Sequence, residues 1–345
     1  MKIVVAGYGQ MLSNLVLGAQ EAGHRVIGVL RYERTKYNPL ILFFKDIFAP
    51  GTDFSFIKGL NIYDIKAKSI NSEQFKKEVL KLNPDILLVG SWSEKLKKET
   101  INLPKLAAIN CHPSLLPKYR GPNPYARVIM NGEAQSGITL HLIDENYDSG
   151  PILMQKTVKI SKTETGGTLK NKCCQAAREA IGELLNNMNT EIVIPIQQNE
   201  KEATYFGQIG VEDILIDFEK TADEIDCRIR GLRPWQSSYI PHKNVFFKVQ
   251  SCEITPNNTQ YTKPGTIVAK SKIRFMRMCF SPESDLRRQQ GSYLQKCGSS
   301  RRNKKAADEF LHKYFCEDRG FGVLGESRAS AGAQGHENYA IFSSP

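Results

Sequence analysis

The chain lacks the features that would place it in a membrane or a secretory pathway. No apolar run approaches the ~18 to 20 residues that a membrane-spanning helix requires. The first residues, Met1–Gly7, have the pattern of a short β-strand. A signal peptide would need a longer apolar core and a small-residue cleavage site. We therefore expect a cytoplasmic protein that does not contact a membrane.

Cysteine and glycine motifs that mark particular sites are also absent. The chain contains 8 cysteines, but none forms a Cys-x-x-Cys pair and no Cys/His cluster has the spacing of a zinc site. Free thiols are expected, and no metal is predicted. The segment Gly7–Leu12 begins like a dinucleotide loop, but Leu12 stands where the third glycine is needed. An NAD-dependent dehydrogenase therefore remains only a minor alternative.

Charge is plentiful and unevenly distributed. The formal net charge of the 345 residues is +11. From residue 263 to the end, Lys and Arg outnumber Asp and Glu by 15 to 8, whereas the first 262 residues hold 32 against 28. A basic C-terminal part suits a polyanionic partner such as RNA, or serves as a solubilising surface. Charge alone does not decide between these two interpretations.

Strand and helix patterns alternate through the first half of the chain. Asp85–Gly90, for example, is an apolar strand of the kind that is buried on both faces, and Thr168–Met188 is a long amphipathic helix. The alternation predicts an α/β fold with a doubly wound, mainly parallel sheet. The length suits two domains. We predict a first domain over 1–188, a linker over 189–205, a second domain over 206–315 and a disordered tail over 316–345.

Three polar side chains follow the apolar segments of the first domain. Asn110 and His112 lie two positions apart at the end of an apolar strand, so their side chains should point to the same side. Pro113 cannot extend the ladder and should end that strand. Asp148 lies further along, in Glu145–Gly150. An amide, an imidazole and a carboxylate together suit acyl transfer to an amine.

The segment around these residues resembles a known family. Asn110–Gly121 is similar to the signature of the folate-dependent formyltransferases, and Gly137–His141 and Asp148–Gly150 follow at that family's usual positions. The resemblance implies a formyl group donated by 10-formyltetrahydrofolate and a site formed by Asn110, His112 and Asp148. A serine hydrolase is disfavoured, because no Gly-x-Ser-x-Gly elbow surrounds Ser114.

His141 lies within a predicted strand and is interpreted as structural rather than catalytic.

The family resemblance implies further site residues. The residues implied to line the folate site are Ser114, Leu115, Leu116, Pro117, Leu88 and Gly90. The residues implied to meet anionic substrate or to shape the mouth of the site are Lys118, Arg120 and Gly121.

The second half resembles the branch of the family that acts on methionyl-initiator tRNA. Thr221–Glu224 has the pattern of a capping box, and Arg230–Trp235 ends the helix that follows it. The resemblance implies a small OB-like β-barrel, initiator tRNA as partner, and a monomer. It fails from about residue 271, and Ala306–Phe315 resembles the final helix again. The alternatives are a sugar-nucleotide N-formyltransferase and a catalytically weak RNA-binding relative.

Overall fold

The computed structural model describes residues 1–48, 53–190, 193–242, 245–255, 267–270, 276–278 and 339–343. The chain divides into two compact units. The first comprises Met1–Val128 and Glu133–Gln208, and the second comprises Ile129–Gly132 and everything from Ile209 onward. The predicted linker over 189–205 therefore belongs to the first unit, because it packs against that unit instead of spanning open solvent.

A six-stranded sheet forms the centre of the first unit. Its strands are β1 (Lys2–Gly7), β2 (Arg25–Arg31), β3 (Ile86–Gly90), β4 (Ala107–His112), β5 (Gln135–Leu142) and β6 (Ile152–Lys159). They are arranged in the order β2-β1-β3-β4-β5-β6. The first four in that order are parallel, whereas β5 pairs antiparallel with both β4 and β6. The prediction of a mainly parallel sheet is confirmed.

Helices cover both faces of this sheet. They are α1 (Gly9–Glu21), α2 (Glu33–Lys36), α3 (Pro39–Phe48), α4 (Asp53–Gly59), α5 (Glu73–Leu82), α6 (Lys98–Ile101), α7 (Pro124–Met130) and α8 (Gly166–Thr190). Helices α1 and α8 pack together on one face. On the other face, Phe75 and Val79 of α5 join a buried apolar cluster with Val4 and Leu87. Apolar burial on both sides is the main force holding such a sheet together.

The sequence Asn71–Gln74 has the pattern of a capping box with Asn71 as the N-cap, and the start of α5 differs from that prediction by one residue. Ser72, rather than Asn71, is the N-cap, and its hydroxyl oxygen accepts a hydrogen bond from Phe75 N at 3.2 Å. The Asn71 side chain instead accepts from Lys97 N at 2.8 Å and donates to the Lys95 carbonyl at 2.9 Å. Asn71 therefore fastens a neighbouring loop, and the serine caps the helix.

A fully buried arginine lies where β2 ends. The guanidinium of Arg31 pairs with Glu33 at 3.1 Å, Asp46 at 2.9 Å and Asp64 at 3.0 Å. Burial alone would lower the pKa of Arg31, but its hydrogen bonds with Asp46 and Asp64 hold it above the usual range. One cation thus joins three separate segments.

Helix α3 carries apolar side chains that are exposed to solvent, namely Leu40, Ile41, Phe43 and Phe44.

The described residues of the second unit form two short helices and several short strands. Its elements are α9 (Val211–Ile214), α10 (Ala222–Leu232), β7 (Ser238–His242), β8 (Val245–Val249), β9 (Ser251–Thr255), β10 (Ile267–Lys270), β11 (Met276–Met278) and β12 (Tyr339–Ser343). The predicted capping box is confirmed, because Thr221 and Glu224 bond reciprocally at the start of α10. Ile225 and Ile229 of that helix pack into a small core with Ile240.

The strands of the second unit form two sheets. Strands β7 and β8 pair with each other, and a four-stranded sheet has the order β10-β11-β12-β9. Strand β12 lies within the predicted disordered tail, so that prediction fails for these five residues, whose Tyr, Ile and Phe favour strands. The OB-like barrel stays a prediction, and Ala306–Phe315 lies outside the described residues. In the described part of the chain, no helix has the length and apolarity to cross a membrane.

Candidate active site

The end of β4 presents two polar side chains on one face. Asn110 is half-buried and His112 is buried, whereas Cys111 between them turns to the opposite face and is also buried. Burial raises the pKa of the Cys111 thiol far above its ordinary value, so a thiolate is disfavoured there. The predicted alternation of these three residues is confirmed, and Cys111 is unsuited to act as a nucleophile.

The carboxylate of Asp148 joins this face from the loop between β5 and β6. Its Oδ1 accepts a hydrogen bond from Asn110 Nδ2 at 3.2 Å and lies 3.3 Å from His112 Nδ1. Its Oδ2 accepts from the backbone N–H of Gly121 at 2.9 Å. Asp148 adopts a φ of 54°, a left-handed conformation that aspartate tolerates better than most residues. The three predicted side chains therefore meet in one hydrogen-bonded network.

Both ring nitrogens of His112 face hydrogen-bond acceptors. Nδ1 faces Asp148, and Nε2 lies 2.8 Å from the backbone oxygen of Tyr119. Neither acceptor can donate, so both contacts are satisfied only when the ring carries two protons. Burial lowers the pKa of His112, but the charge and hydrogen bond of Asp148 outweigh it and raise that pKa above the ordinary value. The site therefore favours an imidazolium.

The pKa of Asp148 moves in the opposite direction. Burial would raise it, but the charge and hydrogen bond of His112 and the hydrogen bond from Gly121 hold it far below the usual range. The carboxylate is consequently ionised at neutral pH. Together, His112 and Asp148 form a buried ion pair whose remaining polar atoms are largely bonded to the protein.

His141 belongs to the same network, although it was interpreted as structural. It lies opposite Asn110 in the antiparallel pairing of β4 with β5. Its Nδ1 lies 2.8 Å from the Leu142 carbonyl and must therefore donate to it. Its Nε2 then accepts from Asn110 Nδ2, 3.1 Å away. Both amide hydrogens of Asn110 are thus engaged, one by His141 and one by Asp148.

The predicted folate residues do not all reach an open surface. Leu115 and Pro117 are half-buried and can offer an apolar wall to a pterin. Ser114 is buried, and its hydroxyl donates to the Lys118 carbonyl at 2.8 Å. Leu116 is 3% exposed. The side chains of Ser114 and Leu116 are therefore directed into the loop, and their place at the folate site stays a prediction.

Two further predicted folate residues lie on β3. Leu88 is fully buried in the sheet. Gly90 is also buried, and a side chain there would meet Leu15 and Met11 of α1. Neither position presents an exposed side chain, and the contact of Leu88 and Gly90 with folate stays a prediction. The close approach of α1 explains instead why β3 ends in glycine.

The residues predicted at the mouth have three different environments. Lys118 is exposed, and Gly121 contributes its backbone N–H to Asp148. Arg120 is buried, and its guanidinium pairs with Glu200 at 2.7 Å and with Gln198 Oε1 at 2.8 Å. The charge of Arg120 is thus already matched within the protein, and its role at the mouth of the site stays a prediction. Gln198 and Glu200 were not identified from the sequence.

A cavity of about 350 Å³ lies beside the loop that carries Asp148. Its lining residues are Arg120, Asn146, Tyr147, Ser149, Glu200, Ala203, Thr204 and Tyr205. Tyr147 and Tyr205 are both at least half exposed, at 50% and 61%.

Within the described ranges, no three His, Cys, Asp or Glu side chains are grouped so that they could hold a metal ion.

The fold and the network together define the class of protein. Residues 1–185 match the formyl transferase family, and residues 208–277 match the formyl transferase C-terminal domain. The chain therefore belongs to the formyl transferase family, whose members take the formyl group from folate.

Individual relatives show which members of the family this chain is similar to. The methionyl-tRNA formyltransferase of Lachnospira eligens is 29% identical over 286 residues, which cover 81% of this chain and 88% of that protein. The methionyl-tRNA formyltransferase of Enterococcus faecalis is 34% identical over 213 residues, covering 61% of this chain and 67% of that protein. A solved N-formyltransferase from Helicobacter canadensis, in complex with folinic acid and dTDP-3-aminofucose, has a TM-score of 0.53. It is 21% identical and covers 67% of this chain and 80% of its own, a likeness of fold alone.

Proposed function

We propose that this chain transfers the formyl group of 10-formyltetrahydrofolate to the α-amine of methionyl-initiator tRNA, in translation initiation. The observation that carries the proposal is similarity over both units to enzymes named for this reaction, 81% of the chain in one case. The joined Asn110, His112 and Asp148 supply the chemical groups. The basic C-terminal part of the sequence suits the tRNA partner.

The first chemical step places negative charge on an oxygen. The lone pair of the methionyl amine attacks the formyl carbon, a C–N bond forms, and the formyl oxygen becomes an oxyanion. The His112 imidazolium, held by Asp148 and the Tyr119 carbonyl, supplies a fixed positive charge next to that oxygen. Preorganised charge of this kind typically contributes about 3 to 4 kcal/mol to transition-state stabilisation.

Asn110 and Asp148 exchange partners as the substrates bind. In the structure both Asn110 hydrogens are engaged, so this amide can donate to the formyl oxygen only after one of them leaves its acceptor. We assign that change to the hydrogen on Asp148, since His141 then still fixes the plane of the amide. The lone pair released on Asp148 Oδ1 can accept a proton from the attacking amine.

The second step breaks the bond between the formyl carbon and the folate nitrogen. The proton taken from the amine passes to that nitrogen through Asp148 or a water molecule, so that tetrahydrofolate leaves neutral at this atom. The oxyanion re-forms the carbonyl as this C–N bond breaks, the bonding pair stays on the protonated folate nitrogen, and the product is the N-formyl amide. The half-buried Leu115 and Pro117 suit the apolar part of the folate.

Formylation of purified methionyl-initiator tRNA tests the proposal directly. The wild-type chain, 10-formyltetrahydrofolate and radiolabelled methionyl-tRNA should give formylmethionyl-tRNA, whereas the His112→Ala variant should not. A parallel assay with a dTDP-amino sugar examines the sugar-nucleotide alternative. Product from the sugar alone would refute the tRNA assignment, and tRNA binding without product would indicate the weakly catalytic relative.

We infer the cellular location of the protein from its proposed substrate. Initiator tRNA is charged and used in the cytoplasm in bacteria, so we place the protein there. We also expect a monomer, which size-exclusion chromatography coupled to light scattering would check against the mass of 38.8 kDa.

A further inference from the structure

The segment after α8 does not leave the first unit directly. We call residues 193–206 the strap, because this stretch returns across the loops that carry the site. Ile196 exchanges two backbone hydrogen bonds of 2.8 Å with Ile152 at the start of β6. Further on, Arg120 N donates to the Thr204 carbonyl at 2.9 Å, and Phe206 N donates to the Arg120 carbonyl at 3.0 Å. The strap is thus bonded at both ends.

One side chain of the strap connects two site loops. Gln198 Nε2 donates to the backbone oxygen of Asp148 at 2.9 Å and to that of Gly150 at 2.7 Å. Its Oε1 accepts from Arg120 Nε at 3.1 Å and from Arg120 Nη2 at 2.8 Å. All the usual hydrogen-bonding atoms of this amide are therefore directed at residues adjoining or including the catalytic candidates.

Arg120 extends this connection on its other side. Its two terminal nitrogens bind the carboxylate of Glu200 at 2.9 and 2.7 Å, a bidentate pair. The next residue, Gly121, donates its backbone N–H to Asp148 Oδ2. Arg120 thus lies on the loop that follows His112. That loop bonds the carboxylate of Asp148 through Gly121, whereas Gln198 bonds the backbone oxygen of Asp148.

We propose that the strap is a positioning device, in which Gln198 holds the Asp148 loop against the His112 loop and so sets the geometry of the catalytic network. This inference rests on the proposed formyl transfer for its kinetic consequence but not for its structural one. Gln198 is a positioning residue, because it acts through the backbone of Asp148 and contacts no reacting atom. The strap precedes the second unit in the chain, so the segment that joins the units also organises the site.

The geometry explains why the loop needs such a device. Asp148 has a positive φ and its neighbours form no regular structure, so the β5–β6 loop has few backbone bonds of its own. Removing Gln198 leaves the carbonyls of Asp148 and Gly150 to water and frees the loop to shift. A displacement of about 1 Å in a catalytic group can reduce a rate about 100-fold.

The experiment compares Gln198→Ala with Gln197→Ala in the full chain. Gln197 is the adjacent residue of the same type, and it is exposed. We expect Gln198→Ala to lower kcat about 10- to 100-fold with KM values for both substrates nearly unchanged, which is the signature of lost positioning. Gln197→Ala should match the wild type. Equal kcat in both variants would overturn the proposal.

A second measurement separates this inference from the proposed function. The titration of His112, followed by NMR and assigned with a His112→Gln variant, requires no activity. Displacement of Asp148 should lower the pKa of His112 in Gln198→Ala but not in Gln197→Ala. If the wild type forms no product, the proposed function fails, and this titration still decides on the strap. An unchanged His112 pKa in a folded Gln198→Ala variant would refute it.

A third variant covers the case in which Gln198→Ala does not fold. Gln198→Glu keeps an acceptor for Arg120 but loses the two N–H donors to Asp148 and Gly150. The strap predicts that it also lowers kcat and the pKa of His112, with circular dichroism reporting the fold. Wild-type kcat and pKa in Gln198→Glu would show that the donated bonds are irrelevant and would overturn the proposal.

Discussion

Replacing Asp148 with asparagine tests the electrostatic core of the site. The change Asp148→Asn removes one negative charge, keeps the size of the side chain and is compatible with the positive φ at this position. The His112 ring then loses the charge that offsets its burial. Its pKa should fall from above the ordinary value to below it, that is, below about 6.5.

The kinetic effect follows from the loss of the imidazolium. A ring with a pKa of about 6.5 is only about one-tenth protonated at pH 7.5, and each further unit lowers that fraction tenfold. Loss of one preorganised stabilising group typically costs about 3 to 4 kcal/mol, so we expect kcat to fall about 10²- to 10³-fold. The KM for tRNA should change little, because Asp148 acts on the reacting amine, whereas contacts to the phosphates supply most of the affinity for a polyanion.

The assay is the formylation rate measured from pH 6 to 9 for the wild type, Asp148→Asn and a control, Asp144→Asn. Asp144 lies in the same loop and accepts from Ser149 Oγ at 2.9 Å, but it does not contact His112. The control should retain activity. The alkaline limb of the wild-type profile should report the raised His112 pKa. Asp148→Asn with a lowered His112 pKa and near wild-type kcat would refute the role of the imidazolium.

Stability should depend on pH in the same variant. The pKa of Asp148 is depressed, so its contribution is present above its unfolded value of about 3.9 and is lost as pH falls through the folded value. The pKa of His112 is raised, so its contribution is complete below about 6.5 and is lost as pH rises through the folded value. The ion pair therefore stabilises most between about pH 4 and 6.5. Urea unfolding should show the largest destabilisation of Asp148→Asn in that window.

Three further predictions concern other features. His141→Leu should lower kcat about tenfold because Asn110 loses the acceptor that fixes its amide, and His141→Gln, which can accept at that position, should restore part of it in the same formylation assay. Arg31→Met should lower the free energy of unfolding in urea by about 3 to 5 kcal/mol, since it leaves three buried or half-buried carboxylates without their cation; a loss below 1 kcal/mol would contradict this. Binding of initiator tRNA, measured by filter binding, should weaken linearly in log Kd against log salt concentration, and a slope near zero would argue for a small acceptor instead.

The placement of two polar residues at the end of β4 could be predicted because it depends on local rules. Alternation in a strand and the stop at Pro113 are enough to place Asn110 and His112 together. His141 could not be assigned in this way, since its place opposite Asn110 depends on the register between β4 and an antiparallel β5. The sequence pattern also could not show whether Asn71 or Ser72 caps α5, because asparagine and serine are both favoured as N-caps.

Long-range side-chain contacts account for the remaining differences. Gln198 lies 50 residues after Asp148, and nothing in its neighbours indicates that its amide bonds that residue. Burial of Ser114, Leu116 and Leu88 follows from how the loop and sheet pack, which motif position does not specify. The weak periodicity of 189–205 predicts a linker, but a segment without periodicity can be a linker or a bonded strap. Only the bonded partners separate the two.

The place of the strap between the two family matches affects how a shorter version of the chain would behave. The first match ends at residue 185 and the second begins at residue 208. A fragment cut at the first of these boundaries would keep Asn110, His112 and Asp148 but lose Gln198 and Glu200. The reacting groups and the side chains that align them are thus encoded apart. Possession of the three reacting groups is therefore not enough to make a fragment active. We expect an active fragment to extend to Gln208.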